Sequence, residues 1–279
     1  MSSRPAFVVM GVVNVTPDSF SDGGRYLDRR AAVEHGLELV AQGAAIVDVG
    51  GESTRPGAEP VPEAEELARV LPVIRGLADA RPRARISVDT AKAAVAAAAL
   101  EAGAEIVNDV TALRGDPEMA GVIARAGAGC CLMHMRGEPR TMQIDPRYDD
   151  VVGEVREFLA ERLRFAVRQG IDPEGIMLDP GIGFGKTTEH NLELIAGLGE
   201  LAELGRPVLV GTSRKSFLGR LTGRQDPSER LAGTIATCVM AFERGASVFR
   251  VHDVAPVRDA LQVAAATVAP RWRTTSSTR

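Results

Sequence analysis

Eight short apolar runs, each closing on polar residues and each followed by a helical pattern, predict an α/β protein built as a single (β/α)8 TIM barrel. Three observations carry this reading. The runs are rich in β-branched residues and too short for helices, the helical patterns alternate with them throughout, and no shift in composition marks a domain boundary in the 279 residues. An open doubly wound sheet is the rival arrangement, but it normally carries fewer strands. One domain is expected over residues 1–279, with the polar tail 270–279 disordered.

Taken in order, residues 6–15 read as a buried strand closed by Asn14, and a loop rich in Pro, Asp, Ser and Gly follows to Gly24. A helix carrying Ala32, Val33, Leu37 and Val40 is stopped by Gly43. Residues 45–49 form the second strand, with Asp48 near its end. The loop Gly50-Gly51-Glu52-Ser53-Thr54-Arg55-Pro56-Gly57 leads to a helix with Glu63, Glu65 and Glu66 in its first turn, where the helix dipole favours acids. Residues 85–88 then lead to Asp89-Thr90, 106–107 to Asn108-Asp109, and 130–133 to His134. A long amphipathic helix is expected over 149–169, with Val152, Val155, Phe158, Leu159 and Leu163 on one face. Residues 176–178 form a strand ending on Asp179-Pro180, and Gly181, Gly183 and Gly185 follow at alternate positions. The last two strands, 208–210 and 247–251, end on Gly211-Thr212-Ser213-Arg214-Lys215-Ser216, with a loop reaching Pro227, and on His252-Asp253; helices are expected over 228–243 and 254–268.

Composition narrows the possible partners. An apolar share of 45% and a charged share of 25% are ordinary for a globular protein and suggest no membrane span. A net charge of −4, with no basic run carrying interleaved aromatics, argues against nucleic acid. Cys130, Cys131 and Cys238 have no metal-ligand spacing and read as buried small hydrophobes in a reducing compartment. The N-terminus shows no secretory signal, so the cytoplasm is the expected location.

In a barrel of this kind the strand ends converge on one mouth. Asn14, Asp48, Asp89, Asn108, His134, Asp179, Lys215, Arg250 and His252 are therefore expected to face it. The carboxylates and the amide suit the N–H edge of a flat, nitrogen-rich ring, while Arg55, Lys215, Arg250 and His252 suit a phosphate or diphosphate. Each has a plainer reading as well: a strand-end Asp can cap a helix, and Lys215 and Arg250 can simply pair with the acids. His134 is expected to be structural, and so is Glu52, to which the sequence gives no partner. The chain lacks a Gly-x-Ser-x-Gly elbow, a His-x-x-x-His pair and a Walker phosphate loop.

Seven stretches together resemble the dihydropteroate synthase family, the folate-pathway enzymes that sulfonamide drugs inhibit. They are Asn14-Val15-Thr16-Pro17-Asp18-Ser19-Phe20-Ser21-Asp22-Gly23-Gly24, residues 50–56, Ser87-Val88-Asp89-Thr90, Asn108-Asp109, Leu178-Asp179-Pro180-Gly181 with Phe184-Gly185-Lys186, Ser213-Arg214-Lys215-Ser216, and Arg250-Val251-His252-Asp253. The resemblance implies condensation of 6-hydroxymethyl-7,8-dihydropterin diphosphate with 4-aminobenzoate, releasing pyrophosphate. It implies a pterin site of Asp89, Asn108, Asp179 and Lys215 with Asp48 nearby, and a diphosphate site of Arg250 and His252. Asn14 would contribute to a Mg²⁺ site. It further implies an aminobenzoate pocket of Thr54, Arg55, Pro56, Phe184, Lys215 and Ser216, completed by loops around Phe20 and Asp22, and a homodimer formed through barrel helices. A pterin-dependent methyltransferase would share the barrel and the pterin pocket, but it has no need of the Ser213 to Ser216 block or the two loop signatures. A silent binding scaffold would leave many polar strand ends unsatisfied.

Overall fold

The computed structural model describes residues 6–16, 24–53, 57–80, 82–138 and 140–268, with the side chains of 24–28 left out. Eight parallel strands close into a barrel in sequence order: β1 (Val8–Asn14), β2 (Ile46–Gly50), β3 (Arg85–Asp89), β4 (Ile106–Asp109), β5 (Gly129–Met133), β6 (Ile176–Asp179), β7 (Val208–Val210) and β8 (Ala246–Val251). Pairing of β8 with β1 completes the ring. Residues 269–279 lie outside the description, and with them the expectation for the tail.

Side chains alternate along each strand between the barrel axis and the surrounding helices. The outward set, including Val9, Val13, Val47, Val88, Leu132 and Phe249, joins the helices in one large core. The inward set changes character with height. Met10, Ile46, Ile106, Cys131, Met177 and Leu209 form an apolar plug. Two residues further along their strands, Ile46, Ile106, Met177 and Val248 give way to Asp48, Asn108, Asp179 and Arg250. An apolar floor thus lies under a polar rim within the same strands. Register sets the rim: Asn14 pairs with Gly50, Gly50 with Asp89, and Asp89 with Asn108.

The helices are α1 (Gly24–Ala41), α2 (Glu63–Asp79), α3 (Ala93–Glu101), α4 (Met119–Ala126), α5 (Val151–Arg168), α6 (Thr188–Ala196), α7 (Leu198–Ala202), α8 (Ser216–Thr222), α9 (Leu231–Glu243) and α10 (Val254–Val268). Three differ from the sequence reading. Helix α5 starts after Asp150, whose carboxylate caps it by accepting Gly153 N–H at 3.0 Å. The stretch expected as one helix over 228–243 opens with a 3-10 turn at Pro227–Arg230, because Asp226 caps Ser228 N–H at 2.8 Å. Residues read as loop after Lys215 form α8, which ends where Gly223 turns left-handed.

The β4–α4 turn is held by one buried acid. Asp109 accepts from the Thr111 N–H at 2.8 Å, the Thr111 hydroxyl at 2.7 Å and the Leu113 N–H at 2.8 Å. These bonds hold Ala112 and Leu113 at φ values of 52° and 63°, a region that side-chain-bearing residues enter only when surrounding contacts enforce it. Buried Arg162 adds a bond to the Ala112 carbonyl at 2.8 Å. Asp109→Ala is expected to lower unfolding free energy by about 3 kcal/mol in urea titrations. A loss below about 1 kcal/mol would show that the turn holds itself.

Candidate active site

The rim is organised by one guanidinium. Arg250, on β8, donates from Nε to Asp48 Oδ2 at 2.7 Å and from Nη2 to Asp89 Oδ2 at 2.8 Å. Asp48 Oδ2 also accepts from Asn108 Nδ2 at 3.0 Å. Four strands, β2, β3, β4 and β8, are thereby joined through side chains. Both acids are buried, Asp48 at 0% and Asp89 at 8% relative exposure. Burial pushes the Asp89 carboxyl up, Arg250 pulls it down and Asp48 pushes it up again, leaving it at about 7. Burial alone would weaken the Arg250 charge, but Asp48 and Asp89 outweigh it and hold the guanidinium protonated.

Asp179 and Lys215 form a second group across the mouth. Asp179 Oδ1 accepts from Gly181 N–H at 2.7 Å, and burial raises its carboxyl against the pull of Lys215. Lys215 donates to the Ile182 carbonyl, and its ammonium lies 4.6 Å from the Phe184 ring centroid. Burial lowers the amine to about 8, with Asp179 opposing the shift and Arg250 adding to it. Phe184 backs onto Val110, Met133, Met135 and Met142, an apolar wall between β4, β5 and the β6–α6 turn.

Oxygen acceptors exceed donors here. Among the described residues, Asp48 Oδ1 and Ser87 Oγ are buried without a hydrogen-bond partner, and Asp89 Oδ1 and Asp179 Oδ2 accept no hydrogen bond. A ligand edge rich in N–H groups beside an apolar wall fits this imbalance.

The β6–α6 turn that carries Phe184 stands on a pair not anticipated from the sequence. Lys186 is fully buried, with Nζ 2.9 Å from His134 Nδ1 and donating to the Phe184 carbonyl at 3.0 Å. Burial, reinforced by Lys186, drives His134 down to about 2, so its ring is neutral. Burial also lowers Lys186 well below an ordinary lysine. Gly181 and Gly185 let this turn pass close to β5: a Cβ on Gly181 would meet the His134 carbonyl oxygen at 1.8 Å, and one on Gly185 the Arg136 carbonyl oxygen at 2.3 Å. His134 is structural, as its sequence context suggested. Glu52, read as structural although the sequence showed no partner for it, has one in Lys92. Lys92 binds both Glu52 and buried Glu66, while Arg69 donates to the Gly51 carbonyl at 2.7 Å, so α2 and the start of α3 anchor the base of the β2–α2 loop.

The remaining expected site residues are dispersed around this mouth. His252 pairs with Ser213, Ser216 is exposed in the first turn of α8, and Asn14 is half-buried at the end of β1. Phe20, Asp22, Thr54, Arg55 and Pro56 lie outside the described residues. The described residues contain no group of three His, Cys, Asp or Glu side chains able to hold a metal. The Asn14 amide oxygen suits a Mg²⁺ ion that brings most of its shell as phosphate oxygens and water.

Comparison with known proteins agrees with this geometry. The family profile described as Pterin binding enzyme matches residues 10–252. Dihydropteroate synthase of Synechocystis sp. is 48% identical over 256 residues, covering 92% of this chain and 88% of the relative. Among solved structures, Xanthomonas albilineans dihydropteroate synthase with 4-aminobenzoic acid superposes with a TM-score of 0.88 at 52% identity, covering 94% of this chain and 93% of the other. The same enzyme in complex with 7,8-dihydropteroate gives a TM-score of 0.84 at 48% identity, covering 94% of each chain. The chain belongs to the dihydropteroate synthase family of pterin-binding enzymes.

Proposed function

We infer that this chain condenses 6-hydroxymethyl-7,8-dihydropterin diphosphate with 4-aminobenzoate, giving 7,8-dihydropteroate and pyrophosphate. The observation that carries the reading is the surplus of carboxylate oxygens at the rim beside the apolar wall of Val110, Met133 and Phe184. A pterin offers the complement, an N–H edge on a flat apolar ring. Asp89, Asn108, Asp179 and Lys215 bind that edge, with Asp48 behind them.

Departure of pyrophosphate leaves a cation delocalised into the dihydropterin, and the 4-aminobenzoate nitrogen adds to its methylene carbon. Asp89 and Asp179 orient the ring and stabilise its positive charge. Arg250 and His252 bind the departing phosphate oxygens; the ties from Arg250 to Asp48 and Asp89 fix its position before the ligand arrives. An arylamine is unprotonated at neutral pH, so no strong base is required. The proton released after addition passes to pyrophosphate, a stronger base than the arylamine left behind. Asn14 would hold a Mg²⁺ ion, which would help neutralise the leaving charge. The aminobenzoate lies against Phe184, Lys215 and Ser216; the family resemblance assigns Phe20, Asp22, Thr54, Arg55 and Pro56 to the same substrate.

A homodimer belongs to the same reading. It is supported by exposed Leu192 on α6, Leu221 on α8 and Met240 on α9, three helices packed against one another. A cytoplasmic location fits the three free, buried cysteines.

A pyrophosphate-release assay tests the reaction. Release is expected to depend on 4-aminobenzoate and to fall about a hundredfold in Asp179→Asn, which removes one charged hydrogen-bonding partner. Release that ignores the arylamine, or a variant with near-normal kcat/KM, would contradict the proposal. Lys215 gives a pH signature: its amine is charged below about pH 8 and neutral above. The kcat/KM for the pterin diphosphate is therefore expected to fall on the alkaline side with a midpoint near that value. In Lys215→Arg that limb should move out of the accessible range; an unchanged midpoint would assign it to another group.

A further inference from the structure

The β7–α8 turn and the end of β8 are joined at two points, and one of these sets the position of a proton. Ser213 Oγ accepts the main-chain N–H of His252 at 3.2 Å and lies 2.9 Å from Nδ1 of the same residue's ring. These are the hydrogen bonds of the Ser213 side chain among the described residues, and Ser213 is buried. Once its oxygen has taken the main-chain donor, the hydroxyl hydrogen has one acceptor in reach, the lone pair on Nδ1. A neutral ring protonated on Nδ1 would leave that hydrogen buried without a partner. The neutral imidazole therefore carries its hydrogen on Nε2. In this form Nε2 is a donor, as it also is in a charged ring.

The second junction prevents the hydroxyl from drifting away. Arg214 binds Asp253 through two bonds, Nε to Oδ2 at 2.9 Å and Nη2 to Oδ1 at 2.6 Å. Its backbone is left-handed at φ 58° and is gripped from α9 and the turn before it: its N–H donates to Thr234 Oγ1 at 3.1 Å, and its carbonyl accepts from Arg230 Nη1 at 2.9 Å. Ser213 and Lys215, on either side of Arg214, are thus fixed relative to the end of β8.

We propose that Ser213 is a positioning residue: it holds the His252 imidazole in its Nε2–H form and orientation, so that the ring meets the departing diphosphate as a hydrogen-bond donor. Without Ser213, the ring can rotate or change tautomer and present a lone pair to anionic oxygen. This role rests on the assignment of His252 to the diphosphate, and the experiment separates the two.

The chain has four histidines, His35, His134, His190 and His252, few enough to assign imidazole ¹⁵N spectra by single substitutions. In the full-length protein without ligand, His252 is expected to show an unprotonated Nδ1 and a protonated Nε2, a pattern lost in Ser213→Ala and restored in Ser213→Thr. Calorimetry with pyrophosphate should show affinity weakened about tenfold in Ser213→Ala, the loss of one charge-assisted contact, with KM for 4-aminobenzoate unchanged. Adding Ser213→Ala to His252→Ala should weaken pyrophosphate binding no further. A His252 protonated on Nδ1 alone, a tautomer unaltered in Ser213→Ala, or an undiminished loss in the double variant would overturn the role of Ser213. If His252→Ala binds pyrophosphate like the wild type, the diphosphate assignment fails, while the ¹⁵N pattern still decides whether Ser213 sets the tautomer.

Discussion

Arg250 sits between two buried carboxylates, and the mouth of the barrel depends on that contact. Asp48 and Asp89 lie on neighbouring strands in a space that excludes water, where two negative charges without a counter-ion would raise each other's proton affinity. The guanidinium supplies one donor to each, and Asn108 adds a second donor to Asp48. A buried ion pair of this kind is weak evidence for stability, since removing charges from water costs several kcal/mol per ion. Its value here is positional: an acceptor-rich surface is held ready before a ligand arrives.

Other paired cations, one of them fully buried, extend the same logic away from the strand ends. Lys186 supports the β6–α6 turn from beneath and thereby places Phe184 under Lys215. Lys92 ties Glu52 to Glu66 at the foot of the β2–α2 loop. Arg214 fastens the β7–α8 turn to Asp253. In each case a side chain from one βα unit pairs with a side chain of another, so the loops that must meet the substrates rest on contacts distant in sequence. The apolar plug of Met10, Ile46, Ile106 and Leu209 below them makes no such demands and closes the barrel by volume alone.

This division explains what could be read from the letters. Strand order and the polar strand ends were legible, because a two-residue alternation ending in Asp, Asn or Arg is a local signal, as in Ile46 to Asp48 or Val248 to Arg250. Helix α8 was not: Ser216 to Thr222 has too few residues for a period to emerge. The pairing of Lys186 with His134 spans 52 positions, and that of Arg250 with Asp48 spans 202, so no pattern within either segment could reveal it. Glu52 looked solitary for the same reason, its partner lying 40 residues away on the turn after β3. Ser213 was visible only as a letter in a motif, because its effect on His252 depends on two strand ends meeting.

The central claim, that one guanidinium governs the ionisation of the mouth, is tested by following the Asp89 carboxyl carbon through a pH titration in the wild type and in Arg250→Met. The account predicts a wild-type midpoint near 7 and a clearly higher one in the variant, because burial and Asp48 both push upward once Arg250 no longer opposes them. An Asp89 that titrates at the same pH or lower without Arg250 would contradict it.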